Sequence, residues 1–291
     1  MRSVLPILTV VLAIFVIWYG MAVKLNAPWA YDKAKRADVT LSFSELVADT
    51  WAQDKPRLPA PHQVTAEIWK TTGVMIAKGK AFSKRSLIFH GWVTLSATAL
   101  GFIMGTLLGI LLAVGIVHNR AMDMSVMPWV IASQTIPILA IAPMVIVVLN
   151  AIGISGLLPK AVISMYLSFF PVVVGMVKGL RSPDHMQLDQ MATWNASNNQ
   201  MFWKLRFPSS MPYLFTSLKI AMAASLIGAI VGELPTGAQG GLGARMLTGS
   251  YYGQTIQIWS ALISAAVLAA ALVGIIGIIQ NITLKRMGMA R

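Results

Sequence analysis

The chain has 291 residues, of which 56% are hydrophobic and 11% charged, and its mean hydropathy is +0.69. Soluble domains carry about 25% charged residues, so this composition excludes a soluble globular protein and indicates an integral membrane protein. The lack of cysteine excludes disulfides and thiolate metal sites, and the four scattered histidines form no metal-ligand spacing. The net charge of +13 indicates basic residues beside membrane helices and no nucleic-acid partner, because no segment interleaves aromatic and basic residues.

The N-terminal region combines an apolar span with a polar segment. Residues 4–23 are apolar over the roughly 20 residues that a bilayer requires, a run longer than a signal-peptide core, so we predict a retained membrane helix. Residues 24–86 hold six of the ten acidic and eleven of the 23 basic residues, so we expect them outside the bilayer. Helical spacing of apolar residues after position 61 predicts an interfacial helix, followed by a basic tail of Lys78, Lys80, Lys84 and Arg85.

Five more apolar spans follow, which makes the predicted fold class all-α integral membrane with six transmembrane helices. The predicted spans are residues 92–117, 127–149, 157–180, 212–234 and 256–280. We divide the chain into residues 1–86, an N-terminal helix with a periplasmic or interfacial segment, and residues 87–291, a core with the other five helices.

Two of these spans carry patterns that suggest a role. In the second span, Gly101, Gly105 and Gly109 recur every four residues, which predicts a face that another helix approaches closely. In the third span, Gln134 and Thr135 precede a proline inside the apolar run. These two polar residues either line a translocation pathway or hydrogen-bond a neighbouring helix.

The remaining spans carry few charges. Lys160, near the start of the fourth span, is expected to extend its amine toward the lipid headgroups. The glycine-rich residues 235–253 follow the fifth span without a preceding strand or a P-loop lysine, so we expect a flexible loop and no nucleotide site. The basic residues of the short loops concentrate on one side, which predicts cytoplasmic N- and C-termini, although the long segment 24–86 then lies outside with its eleven basic residues.

The only long polar interruption in the last two thirds of the chain is residues 189–212, which the predicted orientation places in the cytoplasm. We expect residues 189–195 to face water and a short helix to follow them. Pro208 lacks a backbone N–H and is expected to end this helix, and Pro212 is expected to begin the next membrane helix. Trp194, Phe202 and Trp203 are either apolar contacts for a partner groove or interfacial membrane aromatics; the polar neighbours favour a partner.

Residues 195–221, NASNNQMFWKLRFPSSMPYLFTSLKIA, resemble the EAA loop of binding-protein-dependent ABC importer permeases. Asn195, Ala196 and Ser197 take the place of the family's Gly-Ala-Ser, and asparagine replaces glycine well where the backbone is left-handed. Asp189 keeps the acid of Glu-Ala-Ala, whereas the two alanines are absent. The residues that fit the rest of the pattern are Gln200, Phe202, Pro208 and Pro212.

Two other segments agree with this resemblance. Residues 227–246 resemble the end of the fifth helix and the following loop in the nitrate, sulfonate and taurine branch, and residues 57–64 resemble its LPxP segment. The resemblance implies a type I importer permease (MetI-like) architecture in the bacterial inner membrane. It implies a second permease subunit, identical or related, two cytoplasmic ATPase subunits that bind the ATP, and a periplasmic substrate-binding protein. The chain itself is then neither an enzyme nor bound to a cofactor.

The resemblance also implies roles for particular residues. The residues expected to couple to the ATPase are Asp189, Asn195, Ala196, Ser197, Gln200, Phe202, Trp203 and Pro208. The coupling helix that the resemblance implies is about residues 189–203, and Asp189, an acid early in it, suits the helix macrodipole. The expected substrate is a small anion such as nitrate, a sulfonate or taurine, or a pyrimidine- or flavin-like molecule.

Glu233 is the only acidic residue after Asp189. It could influence the outer end of the pathway or sense the binding protein, or it could hydrogen-bond loop backbone near residues 237–243. The alternative function for the whole chain is an ion-coupled secondary transporter, which would show internal repeats and acids near the middle of the bilayer. A membrane enzyme would instead require clustered histidines and acids, which the sequence lacks.

Overall fold

The computed structural model describes residues 4–235 and 240–289, and all regular elements in that part of the chain are helical. The α-helices are α1 (Val4–Arg36), α2 (Phe43–Ala52), α3 (Pro61–Thr71), α4 (Gly73–Ala77), α5 (Leu87–His118), α6 (Arg120–Ala132), α7 (Ile138–Ala151), α8 (Leu157–Leu180), α9 (His185–Thr193), α10 (Asn198–Met201), α11 (Phe207–Glu233), α12 (Leu242–Tyr251) and α13 (Thr255–Arg286). The predicted all-α membrane fold class is thereby confirmed.

Five helical segments in the described residues are long and apolar enough to cross a membrane. They are Leu5–Arg36, Leu87–His118, Leu157–Leu180, Asn198–Glu233 and Thr255–Arg286. The predicted third span is not one straight helix, because α6 and α7 meet at an angle of 101°. A 3₁₀ turn, Ser133–Thr135, and Pro137 separate them, and the proline explains why the first helix cannot continue. Counted as one broken span, the pair brings the total to six.

The chain separates into two compact units. The first unit runs from the N-terminus to Gly91 and includes Ala244–Ala265, and the second comprises Trp92–Gly243 together with residues from Ala266 onward.

In the first unit, Asn26 of α1 organises the polar segment. Its side chain is 1% exposed; the amide nitrogen donates to the carbonyls of Thr50 and Leu58, and the amide oxygen accepts from the backbone N–H groups of Arg57 and Leu58. Full pairing of a buried amide stabilises the fold, whereas an unpaired one would destabilise it. α1 has 33 residues, more than the roughly 20 that a bilayer requires, and these bonds join Asn26 in its second half to residues 50–58.

Contacts in the first unit join residues 56–85 to residues 245–255. Arg245, which is 7% exposed, donates to the backbone carbonyl of Arg85 at 3.1 Å and pairs with Glu67 at 3.4 Å. The Thr255 hydroxyl donates to the carbonyl of Pro56. Six spans in the predicted order would put both segments on one side of a membrane, which agrees with these contacts.

In the second unit, α5, α8 and α11 pack closely through small residues. A Cβ atom added at Gly101, Gly105 or Gly109 would lie 2.3, 2.1 or 2.7 Å from the nearest side-chain atom of α8, respectively. These distances are below any ordinary contact, so the predicted packing face of the second span is confirmed. Ser164 of α8 and Ser225 of α11 add a buried hydroxyl contact at 2.5 Å, and Ser225 also donates to the Thr98 carbonyl of α5.

Two expectations for the region around the fifth span are wrong. Residues 242–251 form the helix α12 and not a flexible loop, while residues 236–239 of that stretch lie outside the described residues. Lys160 does not reach the lipid surface: it is 4% exposed, and its amine lies 3.4 Å from the carbonyl oxygen of Gly240. Gly232 lets α11 approach the Lys160 backbone closely, since a Cβ added there would lie 3.2 Å from the Lys160 Cα atom, so the lysine is covered.

Candidate functional site

The polar segment between α8 and α11 begins with the nine-residue helix α9. Asp184 is its N-cap: the carboxylate accepts from the Gln187 N–H at 2.8 Å, and the Gln187 side chain accepts from the Asp184 N–H at 3.2 Å. Asp189 is therefore the fifth residue of the helix and not an early one, so its predicted position is wrong. The acid that meets the positive end of the helix macrodipole is Asp184.

A tight C-terminal motif ends α9 at the residues that resemble the family loop. Asn195 has φ +52°, and its N–H donates to the Ala192 carbonyl at 2.9 Å. The next N–H, from Ala196, donates to the Met191 carbonyl at 3.0 Å. This pair of bonds defines a Schellman motif, whose left-handed position favours glycine or asparagine. Asn195 thus occupies a left-handed position, the condition under which asparagine replaces the family's glycine well.

A second helix starts two residues later. Ser197 accepts from the Gln200 N–H at 3.4 Å, and the Gln200 side chain accepts from the Ser197 N–H at 2.9 Å, which forms a capping box. Four of the predicted coupling residues, Asn195 to Ser197 and Gln200, thus lie together at one sharp turn between two helices. The single predicted helix over residues 189–203 is wrong, because this turn divides it.

We expected Pro208 to end a helix, and this prediction is wrong. The chain is helical from Asn198 through a π-helical turn, Phe202–Arg206, into α11, and Pro208 is in the first turn of α11 with Pro212 four residues further on. The π-helical turn explains why the helix continues. The Phe207 N–H donates to the carbonyl five residues back, that of Phe202, so the regular pattern of backbone hydrogen bonds is already shifted where Pro208 has no N–H to donate.

Phe202 and Trp203 differ in what they contact. Phe202 is 9% exposed, belongs to the hydrophobic core of the second unit, and has its ring centroid 5.0 Å from that of His118 at the end of α5. Trp203 is 58% exposed. Both line an open groove of about 360 Å³ together with Val114, His118, Asn198 and Asn199. Phe202 therefore supports the groove from the core side, and Trp203 is the accessible aromatic.

Other large apolar side chains of the segment face away from the protein. Met186 of α9 is 75% exposed, and Trp194 at its C-terminus is 68% exposed. The start of the polar segment is held by an ion pair at 2.8 Å between Arg181, at the end of α8, and Asp123 in the first turn of α6. Both charges are partly exposed, so this pair stabilises the fold by about 1 kcal/mol at most. We name the ordered segment from Asp184 to Phe207, with its exposed apolar side chains, the coupling segment.

The three residues predicted to line a translocation pathway are found at two different places. Gln134 and Thr135 are exposed on the 3₁₀ turn between α6 and α7, and the Tyr166 hydroxyl of α8 donates to the Ser133 carbonyl of the same turn. Glu233 is fully buried at the end of α11. A pathway role for these residues stays a prediction.

Glu233 holds the backbone that leads into α12. Its two carboxylate oxygens accept from the Thr94 hydroxyl at 2.8 Å and from the Gly243 N–H at 2.7 Å. The Thr94 hydroxyl in turn accepts from the Leu242 N–H at 2.9 Å. The bond from Gly243 agrees with the alternative in which Glu233 hydrogen-bonds backbone near residues 237–243. A Cβ added at Gly241, where φ is +121°, would lie 2.1 Å from the Glu233 carboxyl carbon, so glycine is required there.

Sequence patterns did not indicate several residues of these sites. Asp184 follows a proline and precedes Gln187 by three positions, which is a capping-box signal that could have been recognised. His118 and Thr94 gave no signal, because their partners are 84 and 139 positions away in the sequence. Within the described residues, no group of three or more histidine, aspartate or glutamate side chains could hold a metal ion.

Comparison with known proteins identifies the family. The sequence model described as "Binding-protein-dependent transport system inner membrane component" matches residues 105–289. The formylaminopyrimidine transport permease protein of Halalkalibacterium halodurans is 35% identical over 56% of this chain and 65% of its own length. The riboflavin transport system permease protein of Chloroflexus aurantiacus is 27% identical over 78% of this chain and 80% of its own.

The nitrate import permease protein of a Synechocystis species is 25% identical over 65% of this chain and 64% of its own length. The chain thus spans slightly less than two thirds of the formylaminopyrimidine and nitrate relatives. The family match covers the second to sixth predicted spans in large part and includes the whole coupling segment. The chain therefore belongs to the family of binding-protein-dependent transport system inner membrane components, the permeases of ABC importers.

Proposed function

We propose that this chain is the transmembrane permease subunit of an ATP-driven importer of a small solute. The observation that carries the proposal is the coupling segment, whose double-capped turn holds Trp194 and Trp203 exposed beside polar side chains. Exposed tryptophans that a rigid backbone presents to water are typical contacts for a partner protein. ATP hydrolysis then takes place on a separate subunit, and this chain is not itself an enzyme and requires no cofactor of its own.

We propose that the full assembly contains a second permease subunit, identical or related, two cytoplasmic ATPase subunits and a periplasmic substrate-binding protein. Each coupling segment would insert into a cleft on one ATPase subunit. Closure of the ATPase pair on ATP would favour one permease conformation over the other, since a ligand shifts an equilibrium by its differential affinity for two states. This arrangement requires the coupling segment and both termini to be cytoplasmic in the bacterial inner membrane.

The proposed substrate class is an aromatic heterocycle of the pyrimidine or flavin kind. The support is the 35% identity with a permease named for formylaminopyrimidine, against 25% with one named for nitrate. A small anion such as nitrate, a sulfonate or taurine is the alternative substrate. The alternative mechanism is an ion-coupled secondary transporter, for which ATP would not be needed.

The test is co-purification of the full chain from its host in mild detergent. We expect an ATPase with a Walker A sequence to accompany the wild type and to be lost from Trp194→Glu, because a carboxylate cannot enter an apolar cleft without desolvation. Phe202 is less informative, since its burial means that a charged replacement would also disturb the fold.

The matched control is Phe43→Glu. Phe43 is a 78% exposed aromatic at the first residue of α2, where the helix macrodipole accommodates a negative charge. The Phe43→Glu variant should therefore retain the ATPase. Loss of the ATPase from both variants, or from neither, would contradict the proposed role of the coupling segment.

A further inference from the structure

A short basic loop lies between α4 and α5 in the first unit. It borders an open pocket of about 460 Å³ whose lining residues are Met75, Lys78, Lys80, Ser83, Lys84 and Arg85. All four cationic side chains are exposed, and the lining contains no carboxylate. Four like charges around one pocket repel each other, so the arrangement favours an anionic ligand.

The first half of the loop has a fixed backbone. Gly79 has φ +66°, which lets the Lys80 N–H donate to the Met75 carbonyl at 2.8 Å and the Gly79 N–H donate to the Ile76 carbonyl at 2.9 Å. The turn therefore ends α4 and fixes the backbone from which Lys78 and Lys80 extend.

The second half of the loop is bound to the rest of the unit. The Ser86 hydroxyl donates to the Thr71 carbonyl at 3.1 Å, and Arg245 donates to the carbonyl of Arg85 at 3.1 Å. Ser86 is fully buried and Arg245 nearly so. The backbone is thus fixed at both ends of the pocket, while the charged side chains remain accessible.

The pocket also adjoins the start of a membrane helix. The membrane helix α5 starts at Leu87, two residues after Arg85. Three large apolar side chains of the same region are exposed, Trp69 at 68%, Ile76 at 59% and Phe82 at 67%. Aromatic and aliphatic side chains beside basic ones, next to the start of a membrane helix, are typical of the interface between headgroups and acyl chains.

We propose that this pocket binds the phosphate of an anionic phospholipid headgroup, with Lys78, Lys80, Lys84 and Arg85 around the phosphate and Trp69, Ile76 and Phe82 against the acyl chains. A soluble phosphate would use the same cations but has no need of the exposed apolar side chains. An acidic protein surface would also be attracted, but it would not require the pocket to adjoin the first residue of a membrane helix. The observations therefore favour lipid.

The test uses the full-length chain in mild detergent and counts bound lipid by native mass spectrometry. Phosphatidylglycerol is titrated against wild type and against a variant with Lys78, Lys80, Lys84 and Arg85 all changed to glutamine. Since each basic residue near an anionic headgroup strengthens binding by about fivefold, we expect the variant to bind the first phosphatidylglycerol at least about tenfold more weakly. Phosphatidylcholine, whose headgroup is zwitterionic, should bind both proteins equally.

Two further variants separate this site from general charge and from misfolding. A control with Lys24, Lys35, Arg36 and Lys55 changed to glutamine removes the same number of exposed charges from the same polar segment and should bind phosphatidylglycerol like wild type. A variant with Lys78, Lys80 and Lys84 changed to arginine keeps the charge and should also bind like wild type.

Several outcomes would overturn the proposal. Equal loss in the glutamine variant and the control would indicate general charge attraction without a site. Full displacement of phosphatidylglycerol by millimolar inorganic phosphate would indicate a site for a soluble anion. Unchanged lipid binding in the glutamine variant, with lost binding of the periplasmic partner, would indicate a protein interface.

Discussion

Thr94→Val is expected to destabilise the second unit, because the Thr94 hydroxyl joins two elements. It donates to Glu233 at 2.8 Å and accepts from the Leu242 N–H at 2.9 Å, and the residue has no exposed surface. A hydrogen bond to a carboxylate contributes about 2 kcal/mol, and a buried N–H left without its acceptor costs about 1–2 kcal/mol, so the free energy of unfolding should fall by about 3–4 kcal/mol. Valine has nearly the same shape, so packing contributes little to this difference.

The measurement is unfolding by SDS titration from dodecylmaltoside micelles, followed by circular dichroism. Thr98→Val is the matched control, one turn further along α5 and equally buried, because its hydroxyl donates only to the Thr94 carbonyl of its own helix. The loss of that bond should cost at most about 1 kcal/mol. Equal midpoints for Thr94→Val and Thr98→Val would refute the assignment of Thr94 as the link between α5 and the segment that begins α12.

Two more substitutions test local backbone and packing. Asn195→Val should lower the free energy of unfolding by about 1–2 kcal/mol and speed amide hydrogen exchange across the turn, because a β-branched residue is strained at φ +52°. Asn195→Gly should keep the wild-type exchange rates, because glycine adopts this backbone conformation without strain. Gly105→Ala should lower the free energy of unfolding by about 1–3 kcal/mol, and with it the SDS midpoint, because its Cβ would lie 2.1 Å from the Ser168 hydroxyl. Gly91→Ala in the same helix meets nothing within 4 Å and should not lower the midpoint. Exchange rates that do not differ between the two Asn195 variants, or equal midpoints for the two glycine variants, would contradict these assignments.

The sequence indicated the helices and their packing faces well where the signal is local. A bilayer span requires a long apolar run, and α8 has the predicted limits, residues 157 and 180. The glycines at spacing four predicted close packing in the same way, because the periodicity of one helix is visible without its partner. The left-handed position of Asn195 was considered only through the resemblance, in which asparagine stands where the family has glycine.

The features that could not be predicted depend on residues far apart in the chain. The residues that cover Lys160 are more than 70 positions away in the sequence. Its burial against Gly232 and the approach of its amine to the Gly240 carbonyl could therefore not be predicted from its neighbours in the chain. The π-helical turn that lets Pro208 continue a helix is likewise a product of packing, in which Phe202 joins a core with α5 and α8. For Trp194 and Trp203 the sequence left two roles open, contact with a partner groove and anchoring at the membrane interface.

The central claim is that ATP drives transport through this chain, and reconstitution tests it most directly. The full chain is inserted into proteoliposomes with the proteins that co-purify with it, and uptake of a labelled heterocycle or small anion is measured with its binding protein present. We predict uptake that requires ATP and that Trp194→Glu abolishes while Phe43→Glu does not. Uptake without ATP, driven by an ion gradient and unchanged by Trp194→Glu, would contradict the account and indicate a secondary transporter.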